Sequence, residues 1–245
     1  MVSLSKEAAF AIISMICLSL SHKTVDGLLG LVTSFATSAD ILEIRLDLLS
    51  NPEGIDFEQI LSLSPVPLIF TNRKMDEGGG FRGDERERTM LLENAVEAGA
   101  DFIDIEFRTS RDIRRQVMEK AHIHETKVIV SFHDFQATPG SEDIKRLFDN
   151  MAETGADVIK IVTMASDPHD FIKLMPVFTR SRQASVPVIA FCMGEQGRFS
   201  RIFSLSLGGF LTFASIDQSS QTAPGQVPLD TMKQIIALLK QGQEA

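Results

Sequence analysis

Short apolar runs alternate with amphipathic stretches from one end of the chain to the other. The runs Met15–Leu20, Ile41–Leu46, Leu68–Asn72, Phe102–Glu106, Val128–Phe132, Val158–Val162, Val188–Cys192 and Leu211–Ala214 read as strands. Their near-continuous apolar character is that of parallel strands buried on both faces. The stretches between them read as helices with ordinary end signals. Asp84 followed by Glu87 predicts a capping box opening a helix to about Ala98, and Gly99 follows as its stop. Ser141 is read as the cap of a helix ending before Gly155, and Asp167-Pro168 as a cap with Pro in the first turn. The last helix runs from about Pro228 to Lys240. No Pro/Gly/Ser-rich linker divides the chain. The pattern therefore predicts a single (β/α)₈ TIM barrel domain over residues 1–245, with a doubly wound sheet as the alternative.

Two internal repeats sharpen this expectation. Ala-Asp-x-x-(charged)-Ile occurs from Ala39, from Ala100 and from Ala156, on the second, fourth and sixth strands. The last two copies lie 56 residues apart inside a longer Glu-x-Gly-Ala-Asp frame. The repeat puts Glu43, Asp104 and Lys160 at equivalent strand positions. Alternate strands of a barrel supply one interior layer, so these three charges should meet inside it. The odd strands repeat too. Val66-Pro67-Leu68-Ile69 matches Val186-Pro187-Val188-Ile189 at an offset of 120, with Thr126-Lys127-Val128-Ile129 midway. That register makes Arg73, His133 and Met193 equivalent at the strand C-terminal ends, where barrel enzymes keep their chemistry. Arg45 shares the face of Glu43 because strand side chains alternate. Spacing alone thus gathers Glu43, Arg45, Arg73, Asp104, His133 and Lys160.

Composition removes several classes of function. Lys+Arg total 24 and Asp+Glu 33, a formal charge of −9 that disfavours nucleic acid and anionic membranes as partners. The chain has neither Trp nor Tyr on which bases could stack. Cys17 and Cys192 stand far apart in apolar runs and form no CxxC motif, which fits a reducing cytoplasm. Ala8–Leu20 resembles the core of a signal peptide, but it lacks a small-x-small cleavage site, and its second half is needed as the first strand. His122-x-His124 lacks partners at zinc spacing, so no metal site is expected. Gly78-Gly79-Gly80 has no P-loop or dinucleotide context and reads as a mobile loop after the third strand. Gly208-Gly209 precedes the last strand, the wrong side for a barrel phosphate site.

Lys160 interrupts Val158-Ile159-Lys160-Ile161-Val162, and a lysine inside a buried strand is uncommon unless paired or functional. One reading is an interior salt bridge with Glu43 or Asp104. The sharper one is a nucleophile, an amine desolvated near Arg45 and Arg73 and free to attack a carbonyl. His133, ending the adjacent strand, is placed for proton transfer near neutral pH.

The segments Glu43-Ile44-Arg45-Leu46-Asp47, Arg73-x-x-x-Glu77-Gly78-Gly79, Ser131-Phe132-His133-Asp134-Phe135, Ile159-Lys160-Ile161 and Ala223-Pro224-Gly225-Gln226 together resemble type I 3-dehydroquinate dehydratase. They occur in the family's order across nearly the whole chain. The resemblance implies the third step of the shikimate pathway, dehydration of 3-dehydroquinate to 3-dehydroshikimate, with no cofactor and no metal. It implies that Lys160 forms an imine with the substrate ketone, that His133 is the general acid/base, and that Glu77 orients His133. It assigns the substrate carboxylate to Arg201, helped by Gln226 and Thr222, and the ring hydroxyls to Glu43, Arg45 and Arg73. Ser19 and Met193 match substrate-contact positions, and Asp104 supports the charge balance around Lys160. It also implies a homodimer. Two positions depart from the pattern: Phe191 stands where methionine is frequent, and Thr222 where some members have serine. The chain ends after the eighth helix with no dinucleotide domain, so it reads as monofunctional. A class I aldolase would explain Lys160 but not the rest of the set. A catalytically dead barrel, used as a quinate-type sensor, should have lost Lys160 or His133.

Overall fold

The computed structural model describes residues 15–52 and 54–241. Part of the signal-peptide-like stretch, residues 8–14, lies outside them. The remainder forms β1 (Ile16–Leu20), paired in parallel with β2 on one side and β8 on the other. The strands follow as β2 (Ile41–Arg45), β3 (Leu68–Thr71), β4 (Phe102–Glu106), β5 (Lys127–Asp134), β6 (Val158–Met164), β7 (Val188–Met193) and β8 (Thr212–Ser215). A two-residue β9 (Val227–Pro228) joins beside β8. The order β7-β6-β5-β4-β3-β2-β1-β8-β9 is one parallel sheet curled into a barrel. Its seam lies between β7 and β8, where the Phe210 amide donates to the Val188 carbonyl at 2.8 Å instead of opening a ladder.

The aspartates of the first repeat hold the strands in register. Asp40, Asp101 and Asp157 each sit just before an even strand. Their carboxylates accept amides at the start of the preceding odd strands, Ile16 at 2.8 Å, Leu68 at 2.9 Å and Val128 at 2.8 Å. These bonds answer amides at the barrel's lower rim, where an unmet buried donor costs about 1–3 kcal/mol.

Alternation then sorts the side chains. Outward residues such as Leu18, Leu42, Phe70, Ile103 and Ile161 fill the layer beneath the helices. Inward residues form a second, smaller cluster of Cys17, Ile41, Ile69, Phe102, Ile129, Val158, Ile189 and Phe213. Two residues further along the same inward faces stand Ser19, Glu43, Thr71, Asp104, Ser131, Lys160 and Phe191. Each strand thus enters the barrel apolar and leaves it mostly polar, and an apolar floor carries a charged layer.

The helices are α1 (Val25–Phe35), α2 (Phe57–Ser62), α3 (Glu85–Glu97), α4 (Arg111–Ile123), α5 (Ser141–Ala152), α6 (Asp170–Leu174), α7 (Pro176–Ala184), α8 (Ser200–Ser206) and α9 (Leu229–Gln241). The capping box of α3 is present at Asp84 and Glu87, and Gly99 follows with φ +92°. Two expected caps differ. Gly140 is the N-cap of α5, and Ser141 is already its first helical residue. Asp167 and Pro168 precede α6 without capping it. The Asp170 carboxylate collects the Ser166 amide at 2.8 Å and the Asp167 amide at 3.1 Å, which delays the helix by a turn. Among the described residues no helix is long and apolar enough to cross a membrane. Cys17 and Cys192 are both buried free thiols.

Candidate active site

The three charges aligned by the repeat meet as expected. Lys160 Nζ donates to Asp104 Oδ2 at 2.9 Å and lies 3.6 Å from Glu43 Oε1 and 4.1 Å above the Phe213 ring. Carboxylates stand nearest to Lys160, with Arg73 beyond one of them. Asp104 Oδ2 also takes Arg73 Nη2 at 2.8 Å, so one oxygen separates the two cations. Asp104 Oδ1 accepts from Ser131 Oγ at 2.5 Å. Burial works against the Asp104 charge, but Arg73 and then Lys160 outweigh it and hold the carboxyl far below the usual range. Arg73 Nη1 donates to Ser131 Oγ at 2.6 Å and pairs with Glu106 at 3.2 Å. Glu43 accepts Ser19 Oγ at 2.6 Å and Thr71 Oγ1 at 2.9 Å. Arg45 spends its fork on Asp47, with bonds of 2.9 and 2.7 Å.

His133 stands on β5 one same-face step beyond Ser131, which is registered with Lys160. Both its backbone amide, at 2.9 Å, and its Nδ1, at 3.2 Å, meet Glu77 Oε2. With Nδ1 donating, Nε2 keeps its lone pair. Burial, then the charges of Arg73 and Lys160, hold the imidazole well below its ordinary value, so it is a neutral base near pH 7. Burial pushes the Glu77 carboxyl up to about 7, with Arg73 opposing.

Glu77 is placed by the glycine run, which is wedged rather than mobile. A 3₁₀ turn at Met75–Glu77 ends on Gly78 in the left-handed region, φ +78°. A Cβ on Gly79 would meet the Arg73 carbonyl at 2.0 Å, and one on Gly80 the Asp47 carbonyl at 2.4 Å. The Gly80 amide donates to Asp47 Oδ2 at 2.9 Å, so one aspartate fixes both Arg45 and the loop carrying Glu77. Gly79 and Gly80 are needed for close approach, and Gly78 for its left-handed backbone.

On the far wall, Arg201 reaches in from α8 and is 1% exposed. Its Nε donates to the Gly225 carbonyl and its Nη2 to the Pro224 carbonyl, each at 3.0 Å, and its guanidinium lies 4.4 Å over the Phe191 ring. Among the described residues no carboxylate lies within ion-pair distance. Burial therefore pushes its ionisation down without an anion to oppose it. A buried guanidinium without a carboxylate partner can hold an anion by charge-assisted hydrogen bonds. Thr222 joins this wall to the first strand: its Oγ1 donates to Ser19 Oγ at 3.0 Å, and Gln226 Oε1 accepts its amide at 2.8 Å.

These groups line one recess of about 450 Å³ with Met193, Val162, Phe135 and Phe213 among its apolar walls. Ser19 and Asp104 sit just behind it, linked through Glu43, Thr222 and Lys160. No group of three His, Cys, Asp or Glu among the described residues could hold a metal ion.

The family model of type I 3-dehydroquinase matches residues 16–243. The chain belongs to the type I 3-dehydroquinase family. It is 36% identical to the 3-dehydroquinate dehydratase of Desulfotalea psychrophila over 91% of this chain and 96% of that one. It is 39% identical to the bifunctional 3-dehydroquinate dehydratase/shikimate dehydrogenase of Arabidopsis thaliana, over 92% of this chain and 36% of that longer protein. Among solved structures, the Geobacillus kaustophilus 3-dehydroquinate dehydratase superposes with a TM-score of 0.85 at 26% identity, covering 93% of this chain and 91% of that one. The Clostridium difficile type I enzyme gives 0.83 at 28% identity, covering 94% and 93%. The activity that family membership carries is that of a hydro-lyase, dehydrating 3-dehydroquinate.

Reading the sequence as a type I 3-dehydroquinase missed the tier behind the site. Glu106 and Arg88 are wholly buried and paired at 2.5 Å, and Glu106 also braces Arg73. Glu106 stands two residues beyond Asp104, as Arg45 stands two beyond Glu43, so the alternation argument already contained it. Arg88 on α3 had no such signal. Asp47 was quoted only within a motif, and its hold on Arg45 and Gly80 needs the fold to bring two loops together.

Proposed function

We propose that this type I 3-dehydroquinase dehydrates its substrate through an imine on Lys160, with His133 moving the protons. The observation that carries the reading is a buried lysine at the foot of the recess with a neutral, Glu77-oriented imidazole one same-face step above it on the next strand.

Lys160 gives up a proton, its freed amine adds to the ketone carbon, and the ketone oxygen departs as water with that proton and a second one from nitrogen, leaving a protonated imine. That cation withdraws electrons from the neighbouring carbon and makes its proton removable. His133 Nε2 takes the proton, and the electron pair moves into the imine to give an enamine. The pair then returns to expel the hydroxyl on the next carbon, and the imidazolium supplies the proton that lets it leave as water. Hydrolysis of the conjugated imine releases the enone and restores the Lys160 amine. Glu77 steadies the imidazolium through the bond to Nδ1. Asp104 holds Lys160 and Arg73 apart at one oxygen, and Glu43 supplies the second anion near the nitrogen. Arg201 takes the substrate carboxylate, with Gln226 and Thr222 shaping that wall. Glu43, Arg45, Arg73 and Met193 contact the ring, and Ser19 supports that contact through Glu43 and Thr222.

The C. difficile relative was solved with covalently modified comenic acid, which accords with a covalent step in this kind of site. A homodimer, a cytoplasmic location and the third step of the shikimate pathway belong to the same reading and rest on the family. The test is an absorbance assay of the wild-type protein with 3-dehydroquinate near neutral pH, without metal or nucleotide. The reading predicts growth of a conjugated-enone band. Carbon–carbon cleavage products in its place would favour an imine-forming aldolase.

A further inference from the structure

Behind the Glu77–His133 pair, on the side away from the recess, lies Arg108, in the turn between β4 and α4. Its side chain is 47% exposed, yet three contacts hold it. The guanidinium lies 4.4 Å over the Phe132 ring, Nη1 donates to the His133 carbonyl at 3.3 Å, and the same nitrogen is 3.9 Å from Glu77 Oε1. That Glu77 oxygen is buried and has no hydrogen-bond partner, because both bonds from His133 go to Oε2. A buried carboxylate oxygen with only a cation nearby depends on that cation for its charge.

We propose that Arg108 is a positioning residue for the dehydration, clamping the Glu77–His133 pair from outside through its charge on Glu77 Oε1 and its bond to the His133 carbonyl. The inference rests on the reading of His133 as the proton-transfer group. Arg108 touches no wall of the recess, so it acts through Glu77. The charged groups bearing on Glu77 are Arg73 and Arg108 as cations, Glu106 as an anion and His133 as the bonded partner. Those bearing on His133 are Arg73, Lys160 and Arg45 as cations and Asp104 as an anion. Arg73 is pinned between Asp104 and Glu106, which leaves Arg108 as the cation facing Glu77 that, among the described residues, no second carboxylate pairs with. The sign follows directly. A neighbouring cation favours the ionised carboxyl, so its removal moves Glu77 ionisation to higher pH.

The experiment is steady-state kinetics against pH for R108Q, R108K, E77Q and R108Q/E77Q, with H133A as reference and melting curves to confirm folding. Because Arg108 is half exposed and screened, R108Q should raise the acid limb of kcat by about half a unit to one unit. It should lower kcat near neutrality about three- to tenfold while KM stays unchanged. R108K, which keeps the charge, should restore the limb. R108Q should add no further loss in the E77Q background. The proposal is overturned if R108Q leaves kcat and the limb where they are, or slows E77Q by the same factor as it slows the wild type. Near-normal turnover by H133A would remove the underlying reading, and this inference with it.

Discussion

Arg201 offers a sharp separation of binding from folding. It is 1% exposed, its hydrogen bonds go to two carbonyl oxygens at 3.0 Å, and among the described residues no carboxylate answers its charge. Consider R201M, which keeps bulk beneath Phe191 and removes the charge. If Arg201 receives the substrate carboxylate, the variant forfeits one or two charge-assisted hydrogen bonds at about 1.5–3 kcal/mol each. A loss of about 3–5 kcal/mol corresponds to about 10²–10³·⁵ in kcat/KM. The carboxylate keeps its charge throughout the reaction, so the bond is made equally in ground and transition states, and the loss should fall mainly in KM. The folding side is smaller. No buried anion is orphaned; only the Gly225 and Pro224 carbonyls lose a donor, at about 1 kcal/mol each. For a chain of this size about 2 kcal/mol lowers Tm by about 4–8 °C. R201K, which keeps charge but not the planar fork, should fall between the wild type and R201M in KM. Initial-rate kinetics with 3-dehydroquinate and thermal melts of the same preparations give both numbers. A variant with unchanged KM and a collapsed Tm would refute the reasoning and make Arg201 a structural clamp on the Pro224–Gly225 turn.

The packing fixes the outcome for three further variants. D104N removes the carboxylate between Lys160 and Arg73 and should cost about 3–5 kcal/mol, because two buried cations then face each other. The folded Asp104 carboxyl ionises far below its unfolded value of 3.8, so its stabilisation is full above about pH 4, starts to fall as pH drops below the unfolded value, and is gone only at the much lower folded value; urea titrations from pH 7 to pH 3 should show the wild type starting to lose this contribution below about pH 4, and D104N showing no such onset. Gly79→Ala should displace the Glu77 loop and lower both Tm, by about 1–3 kcal/mol of stability, and kcat. Gly30→Ala, where nothing lies within 4 Å, should leave kcat at the wild-type level in the same assays.

The barrel was legible because its strands are buried on both faces and its repeats carry the register. The aligned aspartates Asp40, Asp101 and Asp157 turn out to be the physical reason for the repeat, each meeting an amide at the barrel's lower rim. The charged layer was legible for a related reason. A polar residue inside an apolar strand must be answered across the barrel, and equivalent positions on alternate strands say by which residue. What could not be read were contacts fixed by loops. Asp170 displaces Asp167 as the organiser of the turn before α6, a competition between neighbouring carboxylates that local pattern does not decide. The glycine run looked mobile because flexibility and close approach call for the same residue, and only the Arg73 and Asp47 carbonyls tell them apart. The sequence places both the carboxylates and Arg73 near Lys160, but only the fold shows Asp104 Oδ2 lying between the two cations.

The central claim is a covalent bond between Lys160 and the substrate. Borohydride added during turnover of 3-dehydroquinate reduces an imine to a stable secondary amine, and intact mass with peptide mapping locates it. The account predicts one adduct per chain, on the peptide containing Lys160, in the wild type and also in H133A, where the imine still forms but proton transfer is slow. Absence of an adduct under conditions of full turnover, or an adduct on another lysine, would contradict it.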